Sequence, residues 1–569
     1  MRNWEEWAPR LVASLRGYGS RDFASDLIAG ITVGLVALPL AMAFAIASGV
    51  KPEAGLYTAV IAGFLISALG GSRVQIGGPT GAFVVIVAGI VAKFGVSGLL
   101  VVTVMAGVML VVMGVTGLGS AVKFIPRPVT IGFTNGIAVL IASTQVKDFL
   151  GLRIGAVPGA FPARIRMLAA NLSALTWQAV AVAVASLLVI VFFPRVTRRI
   201  PGSIVAVVLA TGAVALFSIP VVTIGSAFGG IPTGLPKLSV PAFEPDLILP
   251  LLPSALTVAL LGAVESLLSA VVADSMTGDR HNSNVELVAQ GVANIASPLF
   301  GGIPATGAIA RTATSIRSGA KSPIAGIVHA VTLLVILLVA APLARFIPLA
   351  ALAAVLFVVA YNMGEWKEIG VILRLSKADI AVWAVTFGLT VFADLTVAVE
   401  VGIALAALLY ISRVAQTTTV ESVTRDYIEQ GRLHILQDKH VPQYVSILRI
   451  HGPFLFGTTE KLEEATADLG ALAPVVILRL RNMTALDATG LYALERLAGR
   501  LRRCGRTLLL CGARSQPEKL LAQAEFVEHV GRENILPHIS AALERARVIN
   551  EQFGGLGGEV AAEMQGQSL

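Results

Sequence analysis

Between about residue 27 and residue 412 the chain is a succession of apolar runs, each closed by glycine, proline or charge. The runs fall at about 27–48, 55–70, 79–93, 97–117, 128–150, 176–193, 202–220, 252–273, 284–300, 304–316, 323–342, 348–362, 378–394 and 396–412. In hydrocarbon every backbone N–H and C=O must be bonded within the protein, so runs of this length and number predict bilayer-spanning helices. Of the 569 residues, 55% are hydrophobic and 14% charged, against roughly 25% charged in soluble domains, which excludes an ordinary soluble protein. The elements at about 79–93 and 304–316 are too short to cross alone. Each opens on glycines and a proline, the pattern of a half-helix.

Those two openings are copies of one another. Gly77-Gly78-Pro79-Thr80-Gly81-Ala82 recurs as Gly301-Gly302-Ile303-Pro304-Ala305-Thr306-Gly307-Ala308, with the prolines 225 residues apart and the following glycines 226 apart. The preceding element keeps the spacing: Thr32-Val33-Gly34-Leu35 against Thr257-Val258-Ala259-Leu260, again 225. Two halves of seven elements are implied. Seven is odd, so the second half must run in the opposite sense, and an inverted repeat with paired broken helices near the midplane is the architecture of secondary transporters. The structural alternative is that the Gly-Pro motifs only kink packed helices.

With the amino terminus inside and the sides alternating, the inner loops hold Arg73, Lys123, Arg127, Arg195, Arg198, Arg199, Arg280, Arg317, Lys321, Lys367, Arg374 and Lys377. The long outer loop at about 221–250 holds only Lys237. This obeys the positive-inside rule, with Lys147, Arg153, Arg164 and Arg166 as exceptions in an outer loop. The net charge of +8 therefore reports topology and gives no reason to expect a nucleic acid partner. Residues 1–25, with Trp4 and Trp7 among arginines, form a cytoplasmic lead-in without a signal-peptide core.

From about Thr424 the composition turns soluble. Val475 to Leu478 and Thr507 to Leu510 are expected as buried parallel strands, alternating with helices near 489–503, 517–525 and 537–550, and residues 552–569 as a disordered tail. The two cysteines, Cys504 and Cys511, form neither a disulfide framework nor a metal site. No nucleophile–base pair, metal cluster, phosphate loop or cofactor motif is visible, so an enzyme is not expected.

Half-helix N-termini present unbonded N–H groups and about half a positive charge each, which suits an anion. Gly81, Ala82, Gly307 and Ala308 let a ligand approach the backbone, and Thr80 and Thr306 supply hydroxyls. Glu265 lies within the apolar run Leu251 to Val272. A bare carboxylate at that depth costs several kcal/mol, so it is protonated part of the time or paired. It is read as a proton carrier, the alternative being a glutamate permanently hydrogen-bonded between two helices. Arg311, two turns into the second half-helix, either binds the anion, pairs with Glu265, or snorkels to cytoplasmic water. Two helix ends and Arg311 against an ionised Glu265 leave about +1, and protonation makes about +2. A proton then helps a dianion to bind. Asp394 and Glu400 are read as interface residues.

The run Gly30 to Leu56, GITVGLVALPLAMAFAIASGVKPEAGL, with GGSRVQIGGPTGAF and GGIPATGAIARTATSIRSGAKSPIAG, resembles the bacterial branch of the sulfate permease (SulP) family of anion transporters. The resemblance covers nearly the whole chain. It implies a polytopic α-helical membrane protein of fourteen transmembrane segments as a seven-plus-seven inverted repeat, in which a core domain carries the anion past a gate domain in an elevator-like movement. It also implies a homodimer in the cell (inner) membrane. On it, the substrate site includes Leu40 and Phe44 of the first segment, Phe83 of the third, and Ala310 and Arg311 of the tenth, with Glu265 as the acidic residue of the eighth. Many members carry glutamine where this chain has Leu40, which makes a dicarboxylate or bicarbonate as credible as sulfate. Beyond Thr424 the chain resembles the STAS domain, an α/β module, with Asp487-Ala488-Thr489-Gly490 at a strand-to-helix turn. Related antagonist proteins carry a phosphorylatable serine where this chain has Ala488, so a structural cap at Asp487 or Thr489 is expected rather than a switch.

The expected organisation is a cytoplasmic segment 1–25, a transport domain 26–415 with repeats at about 26–220 and 251–413, a cytoplasmic STAS domain 424–551 and the tail 552–569. The expected function is proton-coupled symport of a dicarboxylate, sulfate or similar anion. The alternatives are sodium-coupled bicarbonate uptake, anion exchange, or an anion channel or sensor whose output is the STAS domain, which is also expected to recruit a cytosolic protein partner.

Overall fold

The computed structural model describes residues 7–119, 126–154, 157–197, 201–232, 234, 236–241, 245–393, 395–423 and 441–552. Lys123, Arg198, Arg199, Asp394, residues 1–6 of the amino-terminal segment, residues 424–440 and the expected disordered tail beyond Gln552 lie outside them. The chain forms two compact units, Met1–Ala406 and Ala407–Leu569.

Each apolar run contains a helix. In chain order the helices are α1 (Arg10–Ser14), α2 (Ser20–Ala47), α3 (Pro52–Leu69), α4 (Gly81–Val115), α5 (Arg127–Leu150), α6 (Phe161–Ala170), α7 (Trp177–Phe192), α8 (Gly202–Phe217), α9 (Ile224–Phe228), α10 (Pro245–Thr277), α11 (Ser283–Leu299), α12 (Ile309–Arg317), α13 (Ile324–Ala344), α14 (Leu349–Met363), α15 (Trp366–Ile372), α16 (Lys377–Phe392) and α17 (Leu395–Thr417). Among the described residues eight helical stretches are long and apolar enough to cross a bilayer. Helix α4 merges the expected third and fourth elements, but Gly95 at φ 70° and ψ −176° breaks it. A side chain rarely adopts that conformation, so glycine marks the kink between the two expected elements.

The helices sort into two bundles. In one, α4 packs on α10 and α11, α13 on α2 and α3, and α10 on α12. In the other, α5 packs on α14 and α16, and α7 on α8 and α14. Each repeat thus gives its first four elements to the first bundle and later ones to the second, as the core and gate of the expected fold require. Lipid-embedded helices gain little from apolar burial against one another, so close backbone approach holds them together. Where α4 crosses α11, a methyl on Gly107 would sit 2.7 Å from the Gly291 carbonyl, and one on Gly291 2.6 Å from that of Gly107.

The carboxy-terminal unit holds a sheet of β3 (Thr419–Val423), β4 (Val445–Phe454), β5 (Val475–Leu486), β6 (Thr507–Cys511) and β7 (Ile535–Leu536) in that order. Strand β3 is antiparallel to β4 and the remaining pairs are parallel. Val475 to Leu480 are buried without alternation, as expected of a strand covered on both faces. The helix Ala488–Arg503 is capped by Asp487, whose carboxylate accepts from the Gly490 amide at 2.8 Å and the Phe456 amide at 3.0 Å. Arg500, Arg502 and Arg503 close its last turn, where the helix dipole favours cations.

Candidate functional site

The two copies of the repeated motif meet face to face. Gly77–Gly78 forms β1 and Thr306–Gly307 forms β2, paired antiparallel with Gly77 opposite Gly307 and Gly78 opposite Thr306. The Ala308 amide extends the ladder by donating to the Ile76 carbonyl at 2.8 Å. Each strand then feeds a half-helix, α4 from Gly81 and α12 from Ile309.

The second half-helix therefore starts at Ile309 instead of near Pro304, because neighbouring helices hold the intervening backbone extended. Asn294 accepts from the Ala305 amide at 2.9 Å and donates to the Ala305 carbonyl at 2.8 Å. Thr58 accepts from the Ile303 amide at 2.7 Å, and Ser266 Oγ from the Gly307 amide at 3.1 Å. The Thr306 hydroxyl meets Ser266 Oγ at 2.6 Å and donates to the Gly262 carbonyl at 3.2 Å. Thr306, Gly307 and Ala308 thus build the crossing itself.

The unbonded donors at the crossing are the first amides of each half-helix. Those of Gly81, Ala82, Ile309 and Ala310 have no protein acceptor among the described residues, and both carry the positive end of a helix dipole. Gly81, Ala82 and Phe83 are buried, Leu40 and Glu265 half-buried, and Ile309 and Ala310 exposed, so the crossing is most open beside α12. A methyl on Gly81 would touch Ile141 of α5, Phe44 of α2 and Met363 of α14 at 3.2, 3.3 and 3.4 Å. The start of α4 therefore lies where the two bundles meet. The Phe83 ring instead faces α10, 3.6 Å from where a methyl on Gly262 would stand.

Glu265 of α10 accepts from the Thr80 hydroxyl at 2.9 Å. Arg311 is 3% exposed, and its Nη2 donates to the Pro79 carbonyl. Its Nη1 is buried without a partner, against Gly78. The guanidinium therefore turns back across the crossing, near enough to Glu265 for the charges to interact but with no direct ion pair. One half-helix supplies a cation that fastens the start of the other.

Sequence reasoning missed the polar frame behind the crossing. Gln75 Nε2 donates to the Ser266 carbonyl at 3.1 Å, the Ile76 amide to Thr312 Oγ1 at 3.0 Å, and Ser269 meets Thr312 at 3.2 Å. His329 of α13 is fully buried beside Gly63 with both ring nitrogens unbonded. The available signal was polar residues inside apolar runs, which mark interfaces between helices. Among the described residues no three His, Cys, Asp or Glu side chains converge as metal ligands would.

Comparison with known proteins bears on this arrangement. Residues 23–386 match the sulfate permease family and residues 437–546 the STAS domain. A putative sulfate transporter of Bacillus subtilis, YvdB, is 44% identical over 531 residues, 93% of this chain and 99% of its own. The bicarbonate transporter BicA of Picosynechococcus is 32% identical, over 92% of this chain and 95% of its own. Among solved structures, SLC26A9 superposes with a TM-score of 0.84 at 19% identity, covering 97% of this chain and 94% of that one. The transmembrane domain of a cyanobacterial BicA gives 0.60 at 34% identity, over 68% of this chain and 98% of that one.

Proposed function

Since the chain belongs to the sulfate permease family of anion transporters, we propose that it is a secondary active transporter that couples uptake of a small oxyanion, a dicarboxylate or sulfate, to a proton. The observation that carries this reading is the hydrogen bond from Thr80 to Glu265. It ties Glu265 to the residue that starts a half-helix, so the charge state of this acid acts beside the anion's amides. Protonation removes the negative charge facing the anion, and release of the proton restores it. Movement is of the elevator type, the α2–α4 and α10–α13 bundle carrying the anion against the other. Contact of the α4 start with Ile141 and Met363 of the second bundle fits a site covered by a gate.

In this reading residues 26–415 carry transport, both termini and the STAS domain (424–551) are cytoplasmic, two chains form a dimer, and the STAS domain receives a cytosolic protein partner. A second reading, sodium-coupled bicarbonate uptake, is favoured by the likeness to BicA at 32% identity. Purified protein in liposomes, given labelled fumarate, succinate, sulfate and bicarbonate under a proton and then a sodium gradient, decides between them. Accumulation driven by protons alone supports the first. Accumulation that needs sodium makes Glu265 a cation ligand, and movement without accumulation under either gradient means exchange or a channel.

A further inference from the structure

The basic residues that break the positive-inside pattern converge on one cavity. It encloses about 620 Å³ between the two bundles, at the carboxyl ends of α2 and α5, and Lys147, Asp148, Arg153 and Arg164 all line it. Arg166, the fourth exception, is exposed and does not line it. Basic residues oppose correct insertion when they stand on the outer side, so three of them around one cavity call for a reason other than topology.

Arg164 supplies a fixed charge. It is 4% exposed, with Nη1 donating to Ser143 Oγ at 2.9 Å and Leu140 O at 3.4 Å, Nη2 to Gly159 O at 2.7 Å and Nε to Pro158 O at 3.1 Å. All four partners are neutral. An arginine stays protonated in proteins, so its charge is held in the wall without a carboxylate to cancel it. Arg153 is exposed at the rim. With Asp148 ionised the lining still carries a net +2, and low-dielectric walls focus such a field.

We propose that this cavity is an outer antechamber that gathers small oxyanions, with Lys147 and Arg153 as cations of its lining and Arg164 as the one buried in its wall. It is separate from the half-helix crossing, since none of Thr80 to Phe83, Glu265 or Arg311 lines it. Its walls come from both bundles: Val50 of the α2 end and Ala88 of α4 on one side, Thr144 of α5 and Leu349 of α14 on the other. Relative movement of the bundles changes its volume. The proposal rests on the anion-transport reading, but its test needs no transport.

Cys504 is replaced by serine, leaving only the buried Cys511, and Thr144→Cys is placed in the cavity wall. The variant in intact spheroplasts is treated with negatively and positively charged methanethiosulfonates of matched size. Two net charges at about 10 Å in water make the ratio of anionic to cationic labelling about tenfold at an ionic strength of roughly 0.01 M. The expected result is that ratio, relative to small thiols in solution, its fall to near unity in Arg153→Gln/Lys147→Gln, its return in Arg153→Lys/Lys147→Arg, and slowing of anionic labelling by millimolar sulfate. A ratio near unity in the parent, a ratio unchanged by the double glutamine variant, or labelling only from the cytoplasmic side of inverted vesicles overturns the proposal. If labelling follows expectation and no substrate accumulates in liposomes, the antechamber stands and the symport reading fails.

Discussion

The hydroxyl of Thr80 and the carboxylate of Glu265, from opposite halves of the repeat, meet at 2.9 Å. Glutamine at 265 retains a carbonyl oxygen for the Thr80 hydroxyl but has no proton to release. Glu265→Gln is expected to bind anion within a few-fold of the parent, while proton-driven accumulation falls to the equilibrium ratio. Liposome uptake with and without an imposed proton gradient measures both. Accumulation that survives in the variant removes Glu265 from coupling.

Arg311 is expected to matter through Pro79 as much as through charge. Its Nη2 donates to the Pro79 carbonyl, and stranding a buried acceptor costs about 1–3 kcal/mol. Arg311→Ala should lower the melting temperature of the purified protein and weaken anion affinity roughly tenfold, the equivalent of about 1.4 kcal/mol. Lysine should recover little, because a single ammonium does not reproduce the planar fork of a guanidinium. Unchanged affinity with a lowered melting temperature would make Arg311 purely structural.

The repeat made the crossing legible, because Gly-Pro strings at constant offset constrain backbone geometry and leave a mark in the letters. Half-helices, the break between the elements at about 79–93 and 97–117, and the odd number of elements per half all followed. The pairing of Gly77 with Gly307 did not, since two glycines carry no alternation to indicate a strand. The late start of α12 was equally hidden: it depends on Asn294, Thr58 and Ser266 reaching in from other helices. That Arg311 lies at the crossing was legible but its direction was not, because a charge count says nothing about which carbonyl a guanidinium meets. In the carboxy-terminal unit, Val475 to Leu478 and Thr507 to Leu510 announced themselves as uninterrupted apolar runs. Strand β4, interrupted by Arg449 and His451, did not.

Gly307 leaves no room for a side chain. A methyl there would lie 1.6 Å from Gln75 Nε2 and 3.2 Å from the Ser266 Cα. Gln75 can retreat only by giving up its bond to the Ser266 carbonyl. Overpacking of this kind typically costs 1–3 kcal/mol. Gly307→Ala is therefore expected to lower the melting temperature by several degrees and to reduce uptake strongly, with Gly307→Ala/Gln75→Ala recovering the melting temperature. Full activity in the single variant would mean that the β1–β2 contact tolerates displacement.

Cys511 closes β6 beneath the helix Ile539–Gln552 and is 2% exposed. Burial pushes its thiol up to about 11, against the opposing effect of the neighbouring Arg479. Cys504 is exposed. At pH 8 a small alkylating reagent should add once per native chain, at Cys504, and twice after denaturation, as intact mass reads directly. The raised value also fixes a sign. The unfolded thiol loses its proton near its ordinary value of about 9, while the folded one keeps it to about 11, so the folded state binds more protons in between. Stability from the neutral thiol is fully present below about pH 9 and is lost as pH rises towards 11, by about 3 kcal/mol in all. Hydrogen-exchange protection of Thr507–Cys511, corrected for intrinsic rates, should fall across that window in the parent and stay flat in Cys511→Ala. Equal pH profiles in the two proteins would mean that the thiol ionises in place without loosening the sheet.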